Sequence, residues 1–297
     1  VSRVYPEAGP EVGVVRSLLG RSQVAMALAC LGSLLRRSAE PVRLVLHDDG
    51  TLDAEARARL LDGLDEAVIV TREEADDRLA PLLARMPAIR AYRETNPLGL
   101  KLVDVVLLGE ERIVQYCDAD ILFVRTYRGL FGDLAATCDA RFMSDYQCAY
   151  SLRSRDLLRD WSLRPAFRVN TGIVQVRRAA VDVDAVERSF VRSAAHRTPQ
   201  WAEQTCWALI AEKLRTEVLA PEQIRFPFED PPARAGTVAL HFIGPLRDRL
   251  DRWLRLAEDA ESSAQPEPVI SRPVRRCTAL DLAIGEVVRW RARRATP

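Results

Sequence analysis

Two carboxylates stand two residues apart in Gln115-Tyr116-Cys117-Asp118-Ala119-Asp120-Ile121-Leu122-Phe123-Val124. They follow a β-rich run, Ile113 to Cys117, and a second apolar run begins at once. In an extended chain, residues i and i+2 project from the same face. Asp118 and Asp120 can therefore point together out of the end of a buried strand, with small Ala119 between them. Two carboxylates so placed repel each other unless a cation or a shared proton intervenes. A divalent metal that also grips a phosphate is one solution. A turn carrying two solvated Asp residues is the plainer one.

Other residues of chemical interest are scattered along the chain. Asp48 closes an apolar run in His47-Asp48-Asp49-Gly50-Thr51, and Lys101 is one of only two lysines, with Lys213. Asn170 opens the run Asn170-Thr171-Gly172-Ile173-Val174-Gln175-Val176. Glu203 and Gln204 fall in the first turn of a helical pattern, and His241 precedes Gly244 and Arg247. Each has an ordinary reading when taken alone: a capping turn at Asp48, a tight turn at Asn170, a solvated helix start at Glu203, a satisfied half-buried imidazole at His241, and surface cations at Lys101 and Arg247.

The elements that would position them alternate. Residues 1 to 11 read as loose. Val12 to Leu19 and Val42 to Leu46 read as strands, separated by a helix that Ser22 could cap and that runs to about Arg37. A helix follows from Asp53 to Leu61, a strand from Ala67 to Val70, and a polar helix from Glu73 to Met86 that Pro87 breaks. Pro97 to Leu108 is an amphipathic helix leading into the Asp-x-Asp strand. Such alternation predicts parallel β-α-β units in an α/β domain, whose ligands bind beyond the carboxyl ends of the strands. Asp48 and Asp118/Asp120 fall at that edge. Later strands are expected at Ala140 to Asp145, Arg168 to Val176, Ile224 to Phe226 and Val238 to Ile243, with helices at Asp184 to Ala195 and Trp201 to Ile210. Neither a Gly-x-Gly-x-x-Gly dinucleotide fingerprint nor a Gly-x-x-x-x-Gly-Lys phosphate loop is present.

At 297 residues, 48% hydrophobic and with a formal net charge of +1, the chain can bury a large core and has no charge bias toward nucleic acid. Six cysteines without a Cys-x-x-Cys pair, mostly in apolar runs, read as free buried thiols of a reducing compartment. No run reaches the ~20 apolar residues of a membrane span. The expected location is the cytoplasm, with peripheral contact at the inner membrane surface as an option for the C-terminal segment. Residues 258–276 are polar and Pro-bearing and read as a linker after a domain of residues 1–257. A basic amphipathic helix within 277–297 follows, with Leu280, Ile284, Val287 and Val288 spaced for one face. From residue 271 on, seven arginines stand against Asp281 and Glu286, so this segment carries +5 and the rest about −4. Packing on its own protein or a dimer mate, or docking on an anionic membrane surface, would each suit it.

Four separated stretches resemble one family: the GT-A glycosyltransferases, most closely the glycogenin and lipopolysaccharide galactosyltransferase group (family eight). The Asp118-Ala119-Asp120 stretch resembles that group's metal- and diphosphate-binding Asp-x-Asp. Asn170 and Gly172 match its Phe-Asn-x-Gly strand start. Glu203-Gln204-Thr205 stands where the group has Asp-Gln-Asp, with Thr205 departing. His241-Phe242-Ile243-Gly244-Pro245-Leu246-Arg247 resembles His-Phe-x-Gly-x-x-Lys-Pro-Trp, with Arg247 in place of the phosphate-binding Lys and Asp248-Arg249 in place of Pro-Trp. Lys101 lies where the group carries a basic residue contacting the donor. Asp48-Asp49-Gly50-Thr51 is similar instead to the base-contacting turn of the large inverting family two. The likeness spans roughly residues 12 to 250.

The resemblance implies a GT-A fold with a mixed central sheet flanked by helices, and a hexosyltransferase-like enzyme. Its donor would be a nucleotide-diphosphate sugar, UDP-linked by the same analogy, and its acceptor a saccharide, lipid-linked or small molecule. It implies manganese or magnesium held by Asp118, Asp120 and His241. Asp48, Lys101, Asp118, Asp120, Gly244 and Arg247 would bind the nucleotide sugar, and Asn170, Glu203 and Gln204 would serve the transfer. The later motifs belong to the retaining group and favour retention of configuration. The competing readings are a GT-A-like binding protein without turnover and a haloacid-dehalogenase-type phosphohydrolase. The latter places its Asp-x-Asp on the first strand and follows it with Thr or Val, where this chain has Leu122.

Overall fold

In the computed structural model, residues 12–230, 234–259 and 265–295 are described, so the stretch 1–11 expected to be loose lies outside them. The strands are β1 Gly13–Leu19, β2 Val42–Asp48, β3 Val68–Val70, β4 Ile113–Cys117, β5 Ile121–Phe123, β6 Tyr127–Arg128, β7 Ala140–Ser144, β8 Val169–Arg177, β9 Thr216–Leu219, β10 Ile224–Arg225, β11 Ala239–His241, β12 Glu267–Pro268 and β13 Ser271–Pro273. The helices are α1 Val24–Arg37, α2 Ala54–Gly63, α3 Arg72–Leu83, α4 Pro87–Thr95, α5 Pro97–Leu107, α6 Ser154–Arg159, α7 Val183–Arg192, α8 Ala202–Ala211, α9 Leu250–Asp259 and α10 Ala279–Ala295.

Side chains set many of the boundaries. Asp53 caps α2 by accepting from the Ala56 amide at 2.8 Å, and Thr71 and Glu74 form a capping box on α3. Pro87 does not simply end a helix: it starts α4 at its first position, where the missing N–H costs nothing. Pro97 starts α5 in the same way, with Asn96 accepting from the Leu98 amide at 3.0 Å.

Eight strands form the main sheet in the order β13-β9-β7-β8-β4-β1-β2-β3. β1 runs parallel to β2 and β4, and β2 to β3, as the alternation predicts. From β8 onward the sheet is mixed: β8 is antiparallel to β4 and β7, and β9 runs parallel to β7. A second sheet, β10-β11-β5, stands apart from it. One hydrophobic cluster, with Tyr92, Val103, Phe142 and Trp207, joins α4, α5 and α8 to the main sheet. Another, with Leu31, Leu44, Phe123 and Tyr127, joins α1 to both sheets. All ten residues of α8 are buried, which carries polar Glu203 and Gln204 indoors.

The C-terminal segment corrects the linker reading of 258–276. β13 pairs antiparallel with β9, Ser271 opposite Leu219 and Pro273 opposite Glu217, and so becomes an edge of the main sheet. Residues 260–264 lie outside the described part. Cys277 and Leu282 are buried in the large cluster, and Glu286 accepts from the Ser154 amide at 2.8 Å. Polar composition concealed this because a three-residue edge strand needs little apolar surface. Of the apolar stripe expected on α10, Leu280, Ile284 and Val287 are 68%, 56% and 50% exposed, and Leu282 makes the inward contact. Among the described residues, no helix is long and apolar enough to cross a membrane.

Candidate metal and donor site

Asp118-Ala119-Asp120 is the turn between β4 and β5. Its position is fixed from two sides. The Asp118 amide donates to the Gly172 carbonyl on β8 at 2.7 Å, and the Asp120 carbonyl accepts from the Phe242 amide at 2.9 Å. β11 pairs antiparallel with β5, His241 opposite Ile121, so the register delivers His241 beside Asp120. Its Nε2 lies 3.1 Å from Asp120 Oδ1 and 3.5 Å from Asp118 Oδ2. One ligand atom from each of the three residues lies within 4.8 Å of the others.

Charges crowd this point. Lys101, on α5 and almost wholly buried, donates to both Asp118 oxygens at 2.8 and 3.0 Å. Tyr116 donates to Asp118 Oδ1 at 2.5 Å, and the Lys101 ammonium lies 4.7 Å from the Tyr116 ring centre. Arg247 donates to Asp120 Oδ2 at 2.7 and 3.2 Å, with its side chain 46% exposed. Gly244 makes that reach practicable: at φ +47° it turns the chain after β11 into the short 3-10 segment Gly244–Arg249 that carries Arg247 back.

Burial alone would raise the Asp118 pKa and lower that of His241. Lys101 and His241 overcome this for Asp118 and hold its carboxyl well below the usual range. Asp120 and then Asp118 raise the imidazole to about 9. The Lys101 ammonium, which burial would weaken, is likewise held above its ordinary value by Asp118 and Glu203. The site is thus a fixed set of charges inside protein.

Whether a metal suits these residues can be judged from their atoms. Asp120 Oδ1 is buried and makes no hydrogen bond, and neither does His241 Nδ1. A buried carboxylate oxygen whose polar neighbour is an imidazole nitrogen at 3.1 Å, with a second carboxylate beside both, is a ligand set that manganese or magnesium accepts in place of the imidazole proton, with manganese the more tolerant of the nitrogen. The residues fit the ion.

A polar network lies next to this cluster. Asn170 donates through Nδ2 to Asp145 Oδ2 at 3.0 Å and accepts from the Gly172 amide at 2.8 Å. Gln204 donates to the same Asp145 oxygen and to the Ala149 carbonyl, both at 3.1 Å. Glu203 accepts from Thr171 Oγ1 at 2.8 Å, while its other oxygen is buried without a partner. Burial raises its pKa to about 7 against the pull of Lys101. Asp145 therefore anchors Asn170 and Gln204, while Glu203 is held by Thr171, the residue after Asn170.

Asp48 lies elsewhere, at the end of β2. It accepts from the Gly50 and Leu52 amides at 2.8 and 3.1 Å and from Arg57 at 2.9 Å. Both its oxygens are thus engaged in shaping the turn. Sequence reading missed Asp145, Tyr116 and Phe226, the last stacked on the His241 ring at 5.4 Å between centres. Tyr116 sits two residues before Asp118 and so faces the same way, a usable signal. Asp145 gave only the end of an expected strand.

No known protein-family model and no curated protein matches the sequence. Solved structures do share its architecture. A galactosyltransferase, LgtC, in complex with donor and acceptor sugar analogs, is 13% identical over 85% of this chain and 98% of its own, with a TM-score of 0.54. Mouse xyloside xylosyltransferase 1 in its apo form is 13% identical over 77% of this chain and 97% of its own, at 0.55. An active-site mutant of LgtC matches at 13% identity over 78% and 88%, at 0.52. At such identities the likeness is one of fold. The chain has the GT-A fold of glycosyltransferases.

Proposed function

We propose that this chain is a metal-dependent glycosyltransferase that moves a sugar from a nucleotide-diphosphate donor, UDP-linked, to a saccharide or other hydroxyl acceptor. The observation that carries the reading is the convergence of Asp118, Asp120 and His241 from two different sheets, beside Lys101 and Arg247, on a GT-A fold. Breaking a sugar–diphosphate bond leaves negative charge on the diphosphate. Asp118, Asp120 and His241 would hold the divalent ion, which supplies positive charge to that leaving group when bound.

The protein's own groups do the rest. Arg247 is exposed enough to leave Asp120 and donate to phosphate oxygens, a contact that strengthens as the bond breaks. Lys101 keeps Asp118 ionised and positioned. Asn170 and Gln204, fixed by Asp145, offer hydrogen bonds suited to sugar hydroxyls. Glu203 lies below them as a buried group able to hold or release a proton near neutrality. Retention of configuration is the outcome that agrees with the Asn170 and Glu203-Gln204 motifs.

The test is UDP release from a panel of UDP-sugars, with manganese and with chelator, together with calorimetry of UDP binding under both conditions. Manganese-dependent release supports the reading. Manganese-dependent binding without release from any donor favours the binding protein without turnover. Release undiminished by chelator excludes the metal site.

A further inference from the structure

Three aromatic side chains flank the candidate metal centre and take no part in the chemistry above. Phe226 stacks on His241 at 5.4 Å between ring centres, with planes 29° apart. Tyr146 meets Phe226 and Phe228 edge to face, each at 5.0 Å, and Phe226 and Phe228 lie 5.9 Å apart. Phe226 is buried, but Tyr146 is 41% and Phe228 51% exposed. A core cluster would not leave two rings half in water, and isolated exposed apolar residues would not be joined to a metal ligand by ring-to-ring contact.

The cluster is also held rigidly. Arg249 donates to the carbonyls of Pro227 and Phe228, both at 3.0 Å, and the Phe228 amide donates to the Phe226 carbonyl at 2.9 Å. Gln147 donates to the Tyr146 hydroxyl at 2.8 Å. Tyr146 directly follows Asp145, the anchor of Asn170 and Gln204. The rings therefore join the metal ligand at one end to the sugar-directed amides at the other.

We propose that Tyr146, Phe226 and Phe228 form the acceptor platform, and that the acceptor it takes is a neutral pyranose stacked by its C–H face. This rests on the glycosyltransferase reading and extends it to the acceptor. An aromatic face carries negative charge density, and the C–H bonds on one side of a pyranose present the complementary positive edge. The charged groups of the ring-bearing loop are engaged: Glu229 with Arg225 and Arg234, Asp230 with Arg252, and Arg249 with the Pro227 and Phe228 carbonyls, while Arg247 is reserved for the donor phosphates. That leaves little to recognise an anionic acceptor, and two exposed rings are too small a surface for a lipid chain.

The experiment is saturation-transfer NMR on the full chain with magnesium and UDP, using methyl β-D-glucopyranoside and methyl β-D-galactopyranoside as probes and glycerol as control. The expected result is transfer to the ring C–H protons of at least one pyranoside and none to glycerol. Its Kd should rise tenfold or more in Tyr146→Ala and Phe228→Ala. Phe228→Leu, which keeps apolar area and removes the ring, should weaken binding likewise and serves if alanine disturbs the loop. No transfer to either pyranoside, or the same Kd in wild type and variants, overturns the platform. The UDP resonances report separately on the donor reading: UDP that fails to bind, or binds without magnesium, counts against the metal site and leaves the pyranoside result to decide the platform.

Discussion

Gly172 and His241 are fitted to each other by the absence of a side chain. A Cβ on Gly172 would stand 2.6 Å from Cε1 and 2.9 Å from Nδ1 of the imidazole, closer than real Cβ atoms approach. β8 and β11 belong to different sheets, yet the imidazole from one rests against bare backbone of the other. Gly172→Ala should therefore displace His241 most and press less hard on Asn170, whose Oδ1 would lie 3.0 Å from the new Cβ. The expected outcome is manganese-dependent UDP binding weakened at least tenfold, with the fold retained at a cost of about 1–3 kcal/mol. Calorimetry alongside urea unfolding checks both halves, and unchanged metal dependence would mean that His241 is not a ligand.

Asp120→Ala should abolish manganese-dependent UDP binding, since a buried charge and a ligand are lost together. Asp118→Asn keeps shape and removes charge, so the fold should survive and turnover should not. His241→Ala, which removes a weaker, uncharged donor from the ion, should reduce affinity less than either. Titrating manganese into the wild type and all three variants orders them; an Asp120→Ala protein with wild-type affinity would refute the assignment.

Arg247 and Lys101 should separate by what they cost the fold. Arg247 is half exposed but donates to buried Asp120, so Arg247→Ala should cost about 1–3 kcal/mol of stability while weakening donor binding and slowing turnover. Lys101 is buried against Asp118, and Lys101→Ala leaves that carboxylate with less compensation. It should cost about 3–5 kcal/mol as well as activity. Equal stability of the two variants in thermal and urea unfolding would contradict this.

Glu203 predicts a pH dependence of stability. Its pKa is about 7 in the folded chain against an ordinary 4.5, so the folded state holds this proton more tightly than the unfolded one. Stability from this group is full below pH 4.5, declines as pH rises toward 7, and stays reduced above it. The difference is about 3 kcal/mol at most. Glu203→Gln keeps the acceptor for Thr171 and should flatten that slope, making the variant the more stable at pH 8 and slower in sugar transfer. Urea unfolding of both proteins at pH 5 and pH 8 is the measurement, the comparison cancelling contributions that they share.

On α10, Leu282→Ala should cost about 2–5 kcal/mol, because Leu282 is 1% exposed within the main cluster. Leu280→Ala, two residues earlier and 68% exposed, should stay within ~0.5 kcal/mol. Equal effects would mean that the helix does not dock as described.

The Asp-x-Asp turn was legible because its geometry is local: a strand end and two residues of the same parity suffice. His241 could be paired with it only by resemblance, since the β11–β5 register that joins them spans over a hundred residues. Asp145 was invisible for the same reason. Its partners Asn170 and Gln204 lie 25 and 59 positions away, and an Asp after an apolar run is otherwise common. In the sequence Pro87 marks a break and Pro97 a start, although both open helices. The run after Pro97 is almost continuously apolar, whereas α4 is short and buries only Ile89, Tyr92 and Arg93 on one side. The polar stretch before α10 hid β13, because composition reports what a segment buries and says nothing of which backbone groups it pairs.

β13 also determines where the main sheet stops. An uncovered β9 would present a row of free amides and carbonyls to any passing strand, including that of another copy. Ser271–Pro273 covers it with three residues, the last of which has no N–H to offer outward. At the far side β3 is equally short. Among the described residues the eight-stranded sheet thus ends in two short borders, each offering a neighbouring chain only three residues of backbone to pair with.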